Sequence, residues 1–178
     1  MNGYVNQSKE KDVRFLKASK EDVGKVTEMC RDVALNMMTK NVEQWELIFP
    51  DRDIVKSDIA EEHMYIAESI AENDVVGCAV LDEQQAPEFK KIGWKYNGTY
   101  VILRRLMISP EYEGEGVGSK LLEHLEKVAA QYRCEAIRIE LSASNKNAIN
   151  FYRKRGYNIA GTITLKKGKY YGCEKKLK

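Results

Sequence analysis

Three glycines occupy alternate positions in an otherwise acidic and polar segment, residues 113–120, that follows a stretch typical of a β-strand. Because glycine has no side chain, Gly114, Gly116 and Gly118 allow backbone N–H groups to approach a ligand closely. The helix predicted to begin after them adds the positive end of its dipole, which favours an anion. The segment therefore predicts a site for a phosphate or pyrophosphate. A turn that is merely tight would use glycines in the same way, and this fragment alone leaves both interpretations open.

The spacing of this loop differs from two common phosphate-binding loops. A dinucleotide-binding fingerprint needs its third glycine three residues after the second, where this chain has Ser119. A Walker A loop needs glycine directly before its lysine and serine or threonine directly after it, whereas Lys120 lies between Ser119 and Leu121. Both interpretations fail.

A second group of residues that could do chemistry lies on a predicted helix that begins near Asn145. Ala148 leaves room for a ligand chain beside the helix, and Tyr152, one turn later, can present its hydroxyl to the same groove. A phenol within hydrogen-bonding reach can give a proton to a leaving group. Tyr152 also fits a packed aromatic residue, and Asn145 and Asn147 fit helix capping as well as ligand contact.

The two segments together resemble the signature of the GNAT (GCN5-related N-acetyltransferase) superfamily, and the resemblance covers about residues 100 to 160. In that family a strand with the pattern apolar, any, apolar, any, proline leads into Arg or Gln, two residues, glycine, one residue, and glycine or alanine. Leu106, Ile108 and Pro110 match the end of the strand, and Gly116 and Gly118 match the paired glycines.

The downstream block is similar to the second part of that signature, in which Asn, Ala, Phe and Tyr recur on one helix and glycine with an aromatic residue follows. The matching residues are Asn145, Ala148, Phe151, Tyr152, Gly156 and Tyr157. The chain departs from the family at Glu113, which stands at the Arg or Gln position, and Glu115 adds a second carboxylate to a loop expected to bind phosphate.

The resemblance implies an N-acetyltransferase that takes acetyl-CoA as cosubstrate and acetylates a primary amine, with Tyr152 as the general acid. The alternative is a regulatory or CoA-binding module without efficient transfer, which Glu113 and Glu115 would favour. The residues expected to bind acetyl-CoA are Leu106, Met107, Ile108, Glu113, Gly114, Glu115, Gly116, Val117, Gly118, Ser119, Asn145, Asn147, Ala148, Phe151, Tyr152 and Lys154.

A general base is wanted because the attacking amine must be neutral. On the strand predicted at residues 136–141, Glu140 lies on the face opposite Ile137, Ile139 and Leu141. In the GNAT fold this strand diverges from its neighbour, and some members carry an acidic residue here, so the resemblance implies Glu140 as the candidate base. An exposed strand glutamate and a water relay without a dedicated base are the alternatives.

The charge distribution bears on the acceptor. Residues 41–64 hold seven acidic side chains against two basic ones, and residues 151–178 hold nine basic side chains against one acidic. This pattern favours a cationic amine, of a small molecule or a peptide, near the acidic stretch and a polyanionic cofactor near the basic one. Two solvated faces of opposite sign explain it equally well. The aromatic residues expected to line the acceptor pocket are Trp45, Phe49, Trp94 and Tyr96.

These residues must be positioned by an α/β fold. Hydrophobic periodicity predicts strands at 13–18, 64–69, 75–81, 100–109, 136–141, 157–165 and 170–176, and helices at 20–39, 51–62, 117–133 and 146–155. Asn97 and Gly98 carry a type I′ turn signal, which makes a hairpin into the strand at 100–109 plausible. The resemblance implies three α/β/α layers around a mixed, largely antiparallel sheet with one splayed parallel pair.

Composition limits the remaining possibilities. With 178 residues, 43% hydrophobic and 31% charged, the chain fits a single acetyltransferase domain over residues 1–178, with residues 1–11 expected to be disordered. The four cysteines show no zinc-ligand spacing and are expected to be reduced thiols, with no metal bound. A net charge of +2 gives no indication of nucleic-acid binding. The absence of a secretory signal or a long apolar run predicts a cytoplasmic protein without membrane contact, as a monomer or homodimer.

Overall fold

The structure is a computed structural model that describes residues 12–40 and 50–178. Within them, seven strands form one sheet in the order β1-β2-β3-β4-β5-β7-β6, in which β4 and β5 run parallel and the other neighbours antiparallel. The strands are β1 (Val13–Lys17), β2 (Met64–Ser69), β3 (Asp74–Asp82), β4 (Tyr100–Ile108), β5 (Ala136–Ser142), β6 (Asn158–Leu165) and β7 (Gly168–Lys176). The helices are α1 (Val23–Thr39), α2 (Arg52–Ala60), α3 (Val117–Gln131) and α4 (Lys146–Arg153).

The element order and the mixed α/β sheet confirm the predicted fold class. Most predicted bounds agree with the structure to within one or two residues, and the end of helix α1 at Thr39 is reproduced. The expected disorder of residues 1–11, and the predicted acceptor contacts of Trp45 and Phe49, lie outside the described residues. Three of the four cysteines are buried and all are free thiols, as expected.

Local sequence signals explain where the first two helices begin. A short 3-10 turn leads into α1, and the Asp22 carboxylate accepts a hydrogen bond from the backbone N–H of Ser19 at 2.8 Å, which is the acidic half of a capping box. Asp51 caps α2 by accepting from the backbone N–H of Ile54 at 2.9 Å. An aspartate therefore satisfies an otherwise unpaired backbone donor at the start of α2 and at the short turn before α1.

Two apolar clusters cover the two faces of the sheet. On one face, α1 and α2 bury Val26 and Val55 against β2 and β3. On the other face, α3 and α4 pack through Leu121, Leu125 and Tyr152 against the inward residues of β4 and β5. Burial of these apolar stripes on both faces is the main stabilisation of a three-layer α/β/α arrangement.

The predicted hairpin into β4 is wrong. The antiparallel partner of β4 is β3, and residues 83–99 instead form an irregular strap with a single 3-10 turn at Pro87–Lys91. Asn97 donates its side-chain amide to the Trp94 carbonyl at 3.0 Å, and Gly98 donates its N–H to the Glu135 carboxylate at 2.8 Å. The first contact is local and the second is long-range. They pair the Asn97 side-chain amide and the Gly98 N–H without a strand on the N-terminal side of this dipeptide.

Two carboxylates on the sheet hold the strap by accepting hydrogen bonds from its backbone N–H groups. Glu174 of β7 accepts from the N–H groups of Lys95 at 2.8 Å and Tyr96 at 3.3 Å. Glu140 of β5 accepts from the N–H of Ala86 at 3.4 Å. The strap therefore lies across the C-terminal strands on the same face as Glu140 and Glu174.

Gly172 of β7 makes room for the strap, and we expect that a side chain there would displace it. A Cβ atom at Gly172 would lie 2.5 Å from Ile92 Cδ1 and 2.7 Å from Trp94 Cη2, which are too close for real contacts. Gly172→Ala should lower the free energy of unfolding in urea by about 1–3 kcal/mol. Gly93→Ala, in the strap itself, is the control because nothing lies within 4 Å of its added Cβ. Equal stability of the two variants would contradict this packing.

The parallel pair β4–β5 separates partway along its length. Pairing runs from Tyr100 with Ala136 to Leu103 with Ile139 and includes no later residue of either strand. The C-terminal halves of β4 and β5 therefore diverge and leave a wedge-shaped opening in the sheet. This splay agrees with the predicted parallel pair.

A β-bulge accompanies the divergence. Arg104 pairs with Val80 and Met107 with Cys78, so two residues of β4 stand opposite one residue of β3. Arg105 at the bulge has a positive φ of 53°. Because a bulge interrupts side-chain alternation, Arg104 and Arg105 both project toward the face covered by α1 and α2, where Arg105 forms an ion pair with Asp58 of α2 and Arg104 with Asp82 of β3.

Candidate active site

A pocket of about 350 Å³ opens at the turn between β4 and α3. Its walls come from the end of β4, the glycine-rich loop, the first turn of α3 and the end of α4. The lining residues are Ile108, Tyr112, Glu113, Gly114, Gly116, Val117, Gly118, Ser119, Phe151 and Arg155. The loop predicted to bind phosphate therefore borders a real cavity.

The loop glycines serve the backbone in different ways. Gly114 and Gly116 have positive φ values of 78° and 80°, a region that glycine adopts without steric cost. Gly116 immediately precedes α3, so the first N–H groups of that helix, which have no partner within it, lie at this end. Gly118 packs beneath Ile108 and Phe151, where a Cβ would be in ordinary contact. The arrangement suits an anion at the positive end of α3.

Arg155 supplies the positive charge of the pocket, and the sequence analysis missed it. Its guanidinium lies 3.8 Å from the centre of the Phe151 ring, donates to the Phe151 carbonyl at 2.8 Å and donates to the Ser119 hydroxyl. Lys154, predicted to contact the cofactor, is exposed just after α4 and is not among the lining residues. The four-residue spacing between Phe151 and Arg155 was the available signal, because it places both on one face of a helix.

Glu113, the departure from the family signature, is held at the rim of the pocket. Its carboxylate lies 3.1 Å from Lys40 Nζ, with both side chains about half exposed (49% and 53%). The ion pair partly balances a charge that would otherwise repel a phosphate, although an exposed pair contributes only about 0–1 kcal/mol. Glu115 on the same loop and Lys120 in the first turn of α3 are exposed.

The residues predicted on α4 have mixed environments. Asn145 caps the helix, because its side-chain oxygen accepts from the backbone N–H of Ala148 at 2.9 Å. Asn147 is exposed and Ala148 is partly buried against the core. The capping role expected as one alternative for Asn145 is therefore present, and cofactor contacts of all three residues stay predictions.

The last residues of β4 alternate as predicted. Leu106 and Ile108 pack against the cluster under α3 and α4, whereas Met107 is buried in the cluster under α1 and α2. Val117 at the start of α3 is buried beside the loop. Ile108 thus connects the splayed end of β4 with the pocket.

Tyr152 lies deep in the layer under α3 and α4, with 7% of its surface exposed. Its ring packs edge-on against Phe151 and Tyr157, with centroids 5.0 and 5.4 Å away. The same cluster contains Leu103 and Ile139, the last paired residues of β4 and β5. Burial raises the pKa of the Tyr152 phenol well above its ordinary value, so the hydroxyl stays protonated at neutral pH and can act as a donor.

Glu140 is the first residue of β5 beyond its last pair with β4. It projects to the face opposite Ile139 and Tyr152, and its carboxylate is partly buried near Arg104. Burial raises the pKa of this carboxyl, against the hydrogen bond from Ala86 and the charge of Arg104, which lower it. Tyr152 and Glu140 therefore lie on opposite faces of the sheet.

Neither a metal site nor a membrane-spanning helix is found in the described part of the chain. Residues 12–40 and 50–178 contain no cluster of three metal-ligating side chains. Over the same ranges, no helix is both long enough and apolar enough to cross a membrane.

Comparison with known sequences agrees with this geometry. The profile of the Acetyltransferase (GNAT) family matches residues 32–157, which is more than half of the chain. Thialysine N-epsilon-acetyltransferase of Sus scrofa is 26% identical over 156 residues, which cover 81% of this chain and 83% of that protein. Spermine/spermidine N(1)-acetyltransferase of Bacillus subtilis (strain 168) is 32% identical over 93 residues, which cover 52% of this chain and 58% of that protein.

Solved structures show the same fold. A GNAT family acetyltransferase from Streptococcus agalactiae is similar with a TM-score of 0.78 and 17% identity, covering 93% of this chain and 95% of the other. The PaiA N-acetyltransferase of Thermoplasma acidophilum, solved in complex with coenzyme A, has a TM-score of 0.69 and 19% identity, covering 93% and 99%. The chain belongs to the Acetyltransferase (GNAT) family and is an acetyl-CoA-dependent acyltransferase.

Proposed function

We propose that the protein acetylates a primary amine of a small molecule at the opening between β4 and β5. The observation that carries this proposal is that Tyr152 packs on one face of the sheet, while Glu140, the first residue of β5 after its last pair with β4, projects to the other face. Transfer of an acyl group from a thioester to an amine needs a proton acceptor for the attacking nitrogen and a proton donor for the departing sulfur. The two residues would supply these functions from the two faces of the sheet.

The pocket at the glycine-rich loop would hold the pyrophosphate of the cosubstrate. Acetyl-CoA supplies the activated acetyl group, and this chain supplies backbone N–H groups of the loop, the positive end of α3 and the Arg155 guanidinium. Phe151 fixes the Arg155 side chain by stacking. The cofactor-binding role predicted for the loop is supported by this concentration of donors in one cavity.

Tyr152 would act as the general acid. Its hydroxyl is protonated at neutral pH because burial raises its pKa, and it lies in the cluster that contains the last paired residues of β4 and β5. Giving its proton to the departing sulfur would prevent a free thiolate from reversing the reaction. Packing against Phe151 and Tyr157 keeps the ring in one orientation.

Glu140 would take a proton from the attacking amine, directly or through one water molecule. The carboxylate is partly buried, and burial raises its pKa, which makes it a stronger base than an exposed glutamate. The hydrogen bond from Ala86 and the charge of Arg104 act against that rise. The relatives named above act on thialysine or on spermine and spermidine, so these amines are the first acceptors to test.

The test combines binding with turnover. Calorimetry with acetyl-CoA is followed by an assay of free thiol release in the presence of thialysine, lysine, spermidine, an aminoglycoside or a peptide amine. We expect acetyl-CoA to bind and at least one of these amines to give steady thiol release. Binding without release on any acceptor would favour a regulatory CoA-binding module. An absence of binding would contradict both functions.

Removal of the Arg155 charge should weaken acetyl-CoA binding. Arg155→Met keeps an apolar stem over Phe151 but removes the charge and the donor to Ser119. Because a hydrogen bond to a charged group contributes about 1.5–3 kcal/mol, the Kd should rise about 10- to 100-fold. Calorimetry at two salt concentrations measures the change. Arg153→Met, an exposed arginine at the end of α4, is the matched control, and equal affinities of the two variants would exclude Arg155 from the site.

A further inference from the structure

Three buried nitrogen donors have no hydrogen-bond acceptor among the described residues: Arg104 Nε, Arg138 Nε and Gln85 Nε2. The side chains of Arg138 and Gln85 are 3% and 8% exposed, so solvent does not satisfy these atoms from outside. Buried donors are nearly always paired in folded proteins. Their concentration in one region indicates that a bound group with acceptor atoms completes it.

All three side chains lie on the face of the sheet to which Glu140 projects. Arg138 precedes Glu140 by two residues on β5 and therefore projects to the same face. Arg104 is the first residue of β4 after the last pair with β5, which is the position that Glu140 has on β5. Gln85 precedes Ala86, whose N–H donates to the Glu140 carboxylate. The three side chains are therefore on the opposite face from Tyr152, and Arg104 is the one that borders the opening.

Other contacts hold these side chains in place. Arg138 is stacked between Trp94 and Tyr100, at 4.4 and 3.6 Å from the ring centres. It also donates to Gln85 Oε1 at 3.0 Å and to the Tyr96 carbonyl at 2.7 Å. Because every one of these bonds uses an Nη atom or the Gln85 oxygen, Nε of Arg138 and Nε2 of Gln85 are left over.

Arg104 is fixed in a comparable way. One Nη atom is ion-paired with Asp82, which is 1% exposed, while 30% of the Arg104 side chain remains exposed. The guanidinium can therefore reach a ligand from its open side without losing Asp82. A guanidinium offers a planar set of donors that matches the two oxygens of a carboxylate.

We propose that the acceptor is a zwitterionic amine, such as an amino acid, whose carboxylate binds Arg104 with Gln85 and Arg138 while its reacting amine lies at Glu140. A carboxylate has acceptors only, and the unsatisfied groups are donors only. Asp82 lies beside Arg104 and Glu174 beside Arg138, which leaves the Glu140 carboxylate to face the amine of such a ligand. This inference rests on the proposed acetyltransferase function and narrows the cationic acceptor expected from the sequence.

The test compares acceptors that differ in the carboxylate. Lysine, lysinamide and cadaverine share a primary amine on the same carbon chain, but lysine alone carries a carboxylate. We expect kcat/KM for lysine to exceed the values for lysinamide and cadaverine by about tenfold or more, as loss of a charged hydrogen bond predicts. A preference for lysinamide or cadaverine would overturn the inference while leaving the acetyltransferase function intact.

Two variants test whether the preference for lysine depends on the donors of Arg104 and Gln85. Arg104→Met should lower the ratio of kcat/KM for lysine to kcat/KM for lysinamide to near one. Gln85→Glu keeps the acceptor for Arg138 but replaces a donor with a carboxylate oxygen, and it should also reduce the ratio of lysine to lysinamide. Arg14→Met, which removes an ion-paired arginine of β1, is the control for general effects of losing a cation.

Each outcome of these measurements supports or overturns the inference that the acceptor carries a carboxylate. A ratio of lysine to lysinamide that is unchanged in folded Arg104→Met and Gln85→Glu would overturn the inference, and thermal unfolding shows which variants are folded. If Arg104→Met does not fold, the ratio in Gln85→Glu decides alone. If none of the amines is acetylated although acetyl-CoA binds, the proposed function fails and the inference fails with it.

Discussion

Tyr152→Phe is expected to lower kcat about 100-fold or more while the Kd for acetyl-CoA changes little. The substitution removes one oxygen atom and keeps the ring that packs against Phe151 and Tyr157. Positioned acid catalysis contributes typically about 100- to 10,000-fold to a rate. Steady-state thiol release, with calorimetry for acetyl-CoA, separates the loss of turnover from a loss of binding.

Tyr157→Phe is the matched control for that experiment. Tyr157 lies in the same aromatic group, but its hydroxyl donates to Glu126 at 3.1 Å, on the side of α3. This variant should lose some stability because Glu126 loses a donor, and its kcat should stay close to wild type. Equal kcat in Tyr152→Phe and the wild type would remove the acid role from Tyr152.

Glu140→Gln is expected to lower kcat/KM about 100-fold at neutral pH and to remove the acid limb of its pH profile. In the wild-type enzyme the carboxylate is the active form, so kcat/KM is full above the pKa of Glu140 and falls as the pH drops through it. Because burial raises this pKa above the ordinary 4.5, the fall should begin at a higher pH than for an exposed glutamate. Profiles of kcat/KM against pH for both enzymes measure the effect.

Glu88→Gln tests the same assignment from the strap. Glu88 is exposed, and its charge raises the pKa of Glu140. Removing that charge should leave turnover at neutral pH near wild type and move the acid limb to lower pH. If the acid limb persists in Glu140→Gln, another group is the base. If Glu140→Gln has the same kcat/KM as the wild type at neutral pH, a water relay without Glu140 is favoured.

The sequence was sufficient for the elements and for recognising the glycine-rich loop that borders the pocket. Alternating apolar residues in β5 and helical spacing in α3 are local signals, and local signals predict elements well when the apolar face is long. The same alternation predicted that Glu140 would face away from Ile139 and that Met107 would face away from Ile108. The glycine-rich loop was recognisable because glycine adopts positive φ angles, as Gly114 and Gly116 do, more easily than any other residue.

Long-range contacts account for what the sequence did not predict. Arg155 reaches the pocket through Ser119, 36 residues earlier in the chain, and Glu113 is balanced by Lys40, 73 residues away. The strap has no periodic pattern, and its turn signal at residues 97–98 was overridden by the Glu135 carboxylate. The unpaired Nε donors of Arg104 and Arg138 can be recognised only in the folded structure, because the positions of all neighbouring acceptors must be known.

The way the strap is anchored affects how the protein can diversify. Glu140, Glu174 and Glu135 all hold it by accepting from backbone N–H groups, and every residue type except proline provides such a group. The exposed side chains of the strap can therefore be exchanged without loosening its attachment to the sheet. Under the proposed function, recognition of new acceptors can evolve on this segment while the opening between β4 and β5 keeps its shape.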